Sequence, residues 1–260
     1  MYRGFNVKMK SQSSYYEFVG KELILETKNK TRRLIDNYIG VDGVIDGAEL
    51  ENDWFGEIQA DIFISHSHID EKSAVALAGY IYKKHGLVCF IDSCIWGYSN
   101  DLLLKLDKIY SKDEGQTTYN YKKRNQSTSH VHMMLSAALN KMIDNCECLF
   151  FLNTPNSIPS SNIKSETYSP WIYSELLTSK IIKKKIPLRL LKTRTSVESF
   201  SKAENTNESL KVKYSVDLNH FSSLNEMELE NWCMMNSSSP NDALNKLYNM
   251  KRLRSLDNFL

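Results

Sequence analysis

Three short stretches of the chain combine residue types that can do chemistry. The first is Ser65-His66-Ser67-His68-Ile69-Asp70, directly after the apolar run Asp61-Ile62-Phe63-Ile64. Written as H-x-H-x-D, two imidazoles and a carboxylate this close in sequence could hold zinc. The metal fold best known for that pattern has a further His directly after the Asp and antiparallel strands before the motif. Here that position is Glu71, residues 1–59 supply no such strands, and His85, His130, His132 and His220 show no complementary spacing. The plainer reading is that Ser67 or Asp70 caps a helix starting near Glu71 by accepting from its free backbone N–H groups.

The second stretch is Asp92-Ser93-Cys94-Ile95-Trp96-Gly97-Tyr98-Ser99. Read as a loop after a strand, it should be polar, yet it holds Ile95, Trp96 and Tyr98 around Gly97. Aromatics kept in a surface loop point to a flat ligand or a protein partner, or, more plainly, to a plug at the sheet edge. The third is Ser169-Pro170-Trp171-Ile172-Tyr173-Ser174-Glu175-Leu176-Leu177. Ser before Pro is a helix entry, with Ser169 as N-cap and Pro170 at the first helical position. Trp171 and Glu175 are then i, i+4 neighbours, while Ile172, Leu176 and Ser179 form an adjoining stripe able to pack on a sheet. A carboxylate beside an indole, one turn into a helix bordering a cleft, could be partly desolvated with a raised pKa; taken alone, the plainer reading is an ordinary solvated Glu.

Positioning these stretches requires an alternation of strands and helices. Residues 61–65, 87–92, 148–153 and 186–191 read as buried strands, with 216–218 as a possible fifth. Between them, Glu71–His85 carries Ala74, Leu77, Ala78 and Ile81 at helical spacing, with Gly86 as its stop signal. Residues 101–110, 132–145 and 170–184 also read as helices, and 111–129 as an exposed polar insertion. Strands apolar on both faces, alternating with helices, make a doubly wound parallel sheet whose ligands sit beyond the carboxyl ends of its strands. Outside this core, residues 1–59 include one helix over 21–39, residues 193–213 read as a mobile loop, and the tail ends in a helix over 242–256.

Composition narrows the function classes. With 33 Lys and Arg against 31 Asp and Glu in 260 residues, the net charge of +2 argues against a protein that tracks nucleic-acid phosphates. Five cysteines, an odd number, do not form a disulfide framework. The longest apolar runs, such as Leu149-Phe150-Phe151-Leu152, fall far short of the ~18 residues of a membrane span. With no apolar leader in residues 1–18, the expectation is a cytoplasmic enzyme or adaptor with no membrane or nucleic-acid partner.

Together the three stretches resemble the Toll/interleukin-1 receptor (TIR) domain, particularly its bacterial representatives. The matching residues are Asp61-Ile62-Phe63-Ile64-Ser65-His66-Ser67, Cys89-Phe90-Ile91-Asp92, Gly97 in the family's BB loop, and Ser169-Pro170-Trp171 with Glu175-Leu176 in its S-x-W-x-x-x-E-L signature. The match covers roughly residues 60–190, or to about 220 with a last strand. The long segments at 111–129 and 157–168 depart from the family's pattern without removing a signature residue. The resemblance implies an α/β, flavodoxin-like, five-stranded parallel sheet over 60–220, an N-terminal extension over 1–59 and a C-terminal helical extension over 221–260.

Many TIR domains of this kind cleave the nicotinamide–ribose bond of NAD+, and the resemblance implies that activity here. Glu175 is then the catalytic residue, and Ser65, His66, Ser67, Asp92, Trp96, Tyr98 and Trp171 bind substrate. NAD+ is a consumed substrate: no G-x-G-x-x-G occurs, and no metal or cofactor is implied. In this family a loop of one protomer commonly completes a neighbour's site, which implies a homo-oligomer on activation. By analogy with antiphage defence proteins, a nucleotide product would signal to a separate effector. The rival expectation is a non-catalytic TIR scaffold acting through protein contacts.

Overall fold

In Ile62-Phe63-Ile64-Ser65 every side chain is buried, as a strand covered on both faces requires. The computed structural model describes residues 1–10, 13–28, 44–54, 58–113, 115–159, 166–190 and 213–251, without the side chains of 26–28, 52–54 and 94–98. In chain order the elements are β1 (Arg3–Val7), α1 (Ser14–Lys28), α2 (Gly47–Trp54), β2 (Ile62–Ser65), α3 (Glu71–His85), β3 (Cys89–Ile91), α4 (Ser93–Tyr110), α5 (Tyr121–Asn145) and β4 (Cys148–Leu152). There follow β5 (Glu166–Thr167), α6 (Pro170–Ile181), β6 (Tyr214–Ser215), β7 (Phe221–Leu224), α7 (Glu226–Met234) and α8 (Pro240–Met250).

Five strands form one all-parallel sheet in the order β3-β2-β4-β1-β7, and β5 and β6 pair separately as a short antiparallel ribbon. The strands alternate faces. Phe63, Phe90, Leu149 and Phe151 join the buried residues of α4, α5 and α6 on one side. Phe5, Val7, Ile62, Ile64, Phe150 and Leu152 join those of α3, α7 and α8 on the other. The result is the expected helix-covered α/β sandwich.

Chain direction reverses beside β2. From β2 the chain passes through α3 on one face to β3, then through α4 and α5 on the other face, back past β2, to β4. Sheets of this kind bind ligands outside the carboxyl ends of the two strands at such a reversal.

Several expectations are corrected. Residues 186–190 do not form the expected fourth strand, whose last residue, Leu191, lies outside the described residues: Leu188–Leu190 is a single 3₁₀ turn, and Leu188 is 88 % exposed. Pro187 has no N–H for a ladder, and the position beside β4 is filled by β1, paired Phe5 to Phe150. Residues 216–218 are not a strand either; the edge strand starts at Phe221. Segments 1–59 and 221–260, expected as extensions, therefore each supply a strand to the sheet. The helix expected over 21–39 starts earlier, as α1, and residues 29–43 lie outside the described residues, as do 191–212. α1 packs closely on α3, because a Cβ on Gly79 would sit 2.1 Å from the Tyr16 carbonyl oxygen.

The presumed loop over 92–99 is the start of α4, and the second half of the presumed insertion 111–129 is the start of α5. Asn120 caps α5 by accepting from the backbone N–H groups of Lys122 and Lys123. The first turns of α5 are exposed on nearly every side, so no apolar period marks them in the sequence. Gly86 and the apolar stripe of α3 are as expected: Ala74, Leu77, Ala78 and Ile81 are buried, and Gly86 ends the helix at φ 69°. The final helix is α8; residues 252–260 lie outside the described residues.

Candidate active site

Glu175 reaches its position through the entry of its helix. Ser169 accepts from the Ile172 N–H at 3.2 Å and Pro170 occupies the first turn, which sets the phase of α6. The buried stripe is then Ile172, Glu175, Leu176 and Ser179, at i, i+3, i+4 and i+7. Glu175 thus lies on the sheet-facing stripe itself and not beside it, and is 1 % exposed. There the Ser65 hydroxyl, at the carboxyl end of β2, donates to Glu175 Oε2 at 2.6 Å.

The next strand supplies a second carboxylate. Asp92 directly follows β3, and its Oδ1 accepts from the Ser93 N–H at 2.8 Å at the start of α4. His66 Nδ1 lies 2.8 Å from the same Oδ1, with His66 and Asp92 both buried. The approach is an ion-pair contact and not an aligned hydrogen bond, since among the described residues neither ring nitrogen of His66 has a well-directed partner. Ser65, His66, Asp92 and Glu175, expected separately as site residues, therefore meet in one buried cluster.

Burial pushes the Glu175 carboxyl well above the usual carboxylate range, and the nearby Asp92 charge adds to that; the Ser65 bond opposes both. Two facing carboxylates have no hydrogen between them unless one is protonated. Among the described residues Glu175 Oε1 accordingly lacks a partner as an anion, whereas a proton on the pair makes Glu175 a donor to Asp92. Burial disfavours a charged His66, but the adjacent Asp92 carboxylate outweighs it and raises the imidazole pKa. The least costly arrangement is a protonated His66 balancing Asp92, with Glu175 neutral beside them. Such a cluster can hold a proton at Glu175, or, once Glu175 ionises, present a negative charge in a dry site where it acts strongly.

The remaining expected residues diverge. Ser67 is buried, but neither it nor Asp70 caps the following helix through its side chain. His68 is exposed, and Asp70 turns to Thr154 and Asn156, so His66, His68 and Asp70 do not converge as a metal site. Among the described residues no group of three or more His, Cys, Asp or Glu is arranged to hold a metal. Trp171 is half-buried and meets His132 of α5 edge to face, with ring centres 5.9 Å apart. The side chains of Trp96 and Tyr98 lie outside the described residues, although their backbone belongs to α4.

Sequence reading missed Ser93, whose buried hydroxyl next to Asp92 lacks a hydrogen-bond partner among the described residues, and the link from Asp70 to the residues after β4. The run Asn153-Thr154-Pro155-Asn156-Ser157, dense in turn formers directly after a strand, was the available signal for the latter. A cavity of about 500 Å³ lined by Asp61, Val88 and Asn145 opens at the opposite, amino ends of the strands. No helix among the described residues is long and apolar enough to cross a membrane. Comparison of the chain with protein-family models, curated proteins and solved structures finds no match in any of the three.

Proposed function

We propose that the chain is a TIR-type enzyme that cleaves the nicotinamide–ribose bond of NAD+, releasing nicotinamide with ADP-ribose or a cyclic relative. The observation that carries this reading is Glu175. A carboxyl group on α6 reaches over the carboxyl end of a parallel sheet, accepts from Ser65 and faces Asp92. Nicotinamide departs as a neutral molecule from a cationic pyridinium, so the leaving group needs no proton. The charge that needs stabilising develops on the ribose, and one preorganised anion close to it lowers the barrier. The substrate's own positive charge favours the ionised form of Glu175 on binding, against the effect of burial.

In this reading Ser65, His66, Ser67 and Asp92 provide hydrogen-bonding groups for the ribose or pyrophosphate, and Trp171 with Trp96 and Tyr98 provides aromatic surface for the flat rings. Water reaching the ribosyl cation gives ADP-ribose, and a group of the same molecule gives a cyclic product, so exclusion of water decides the outcome. Self-association on activation and signalling of the product to an effector in antiphage defence belong to the same proposal, as does a cytoplasmic setting.

The near-complete burial of Glu175 favours a second reading, a TIR scaffold whose Glu175 serves only packing and proton sharing. Incubation with NAD+ and chromatography of the products separates the two. The enzyme reading expects nicotinamide release that Glu175→Gln abolishes; equally little release from both proteins supports the scaffold, and equal release above background contradicts the role of Glu175.

A further inference from the structure

Asp70 ties together two loops on opposite sides of the chain reversal. It precedes α3 in the turn after β2, and its carboxylate accepts from Thr154 Oγ1 at 2.5 Å and from Asn156 Nδ2 at 2.8 Å. Both donors lie just beyond β4. Their segment is stiffened from within: the Thr154 N–H donates to Ser157 Oγ at 2.9 Å, and the Ser157 hydroxyl donates to the Leu152 carbonyl at 3.0 Å. Ile158 then packs with the apolar cluster on the α6 side of the sheet, whereas α3 lies on the other side. Residues 154–158 therefore connect the turn between β2 and α3 to the apolar cluster under α6, beyond the carboxyl end of β4 at the two strands where ligands are expected.

We propose that residues 154–158 form a strap, clasped by Asp70, that closes the site over Ser65 and Glu175, and that release of this clasp admits substrate. The functional half of this inference rests on the NAD+-cleaving reading; the closure rests on the geometry alone. Asp70 is a positioning residue here, since it acts through the strap. Two hydrogen bonds to a half-exposed carboxylate hold an opening equilibrium by about tenfold or more.

The test compares the full-length protein with Asp70→Ala and with Thr154→Val/Asn156→Ala, which removes the clasp from the other side. Each is labelled briefly with diethyl pyrocarbonate, and modification of His66 is read by mass spectrometry against His68. His66 is 3 % exposed while the His68 side chain is 84 % exposed, so His68 serves as the internal standard. Nicotinamide release is measured on the same samples. The expected result is a His66-to-His68 ratio about tenfold higher in both variants, with a parallel rise in nicotinamide release. An unchanged ratio overturns the clasp, whatever the activity. A raised ratio with unchanged release, where the wild type has Glu175-dependent release, overturns the role in substrate entry. A raised ratio with no release from any protein sinks the NAD+ reading and leaves the closure standing.

Discussion

Replacing Glu175 by Gln should stabilise the folded protein, increasingly so as pH rises. Gln keeps an oxygen to accept from Ser65 and adds an amide that donates toward Asp92, which reproduces the hydrogen bonding of the protonated acid. The folded-state pKa of Glu175 lies well above its ordinary value, because of burial and then the Asp92 charge. Between the ordinary carboxylate range and that raised value, the folded state binds more protons than the unfolded one, so stability falls as pH rises. Each unit of displacement costs about 1.4 kcal/mol, which for a chain of this length is roughly 3–5 °C in Tm. His66 is also raised in the folded state, mainly against burial by Asp92; its contribution is present below the ordinary His value and is lost at higher pH. Both proteins carry that slope, so the difference between them isolates Glu175. Thermal melts of the two at pH 4 and pH 8 should give nearly equal Tm at the acid end and a Gln variant melting at least about 3 °C higher at the alkaline end. A variant that melts lower at pH 8 would mean that an anionic Glu175 stabilises the fold and that the cluster does not hold Glu175 neutral.

Other consequences can be measured independently. If catalysis needs ionised Glu175, the nicotinamide-release rate should climb with pH along a limb well above the ordinary carboxylate range, and a flat profile from pH 5 upward would contradict it. Asp92→Asn removes a charge that raises the Glu175 pKa and should move that limb to lower pH, as read from a rate–pH profile. Ser169→Ala deletes the cap of α6 and should cost about 1 kcal/mol in denaturant unfolding. Gly79→Ala forces a Cβ against the Tyr16 carbonyl; detachment of α1 should appear as faster amide exchange confined to α1 and α3.

The parts of the fold that sequence revealed are those whose signal is local. β2, β3 and β4 are runs of apolar residues, and α3 has a regular stripe closed by Gly86. β1 was hidden because it contains Arg3 and Asn6, which look wrong for the interior of a sheet. Their partners are far away in sequence: Arg3 donates to Ser222 Oγ at 2.8 Å and to the carbonyls of Tyr248 and Lys251 at the end of α8, and Asn6 accepts from Asn153. The run at 186–191 misled for the converse reason, being apolar enough for a strand but interrupted by Pro187 and left without a vacant neighbour in the sheet. At the site, the Ser169-Pro170 entry made the start of α6 legible, but the apolar pattern did not show that Glu175 shares the buried stripe with Ile172, Leu176 and Ser179. The contact of His66 with Asp92 joins the ends of two strands and leaves no mark in either stretch.

Dependence of NAD+ cleavage on Glu175 is read by incubating purified protein with NAD+ and quantifying nicotinamide by chromatography, with Glu175→Gln, expected to fold at least as well, in parallel. The wild type should release nicotinamide, with a loss of several orders of magnitude in the variant. Equal release from the two proteins would contradict that dependence.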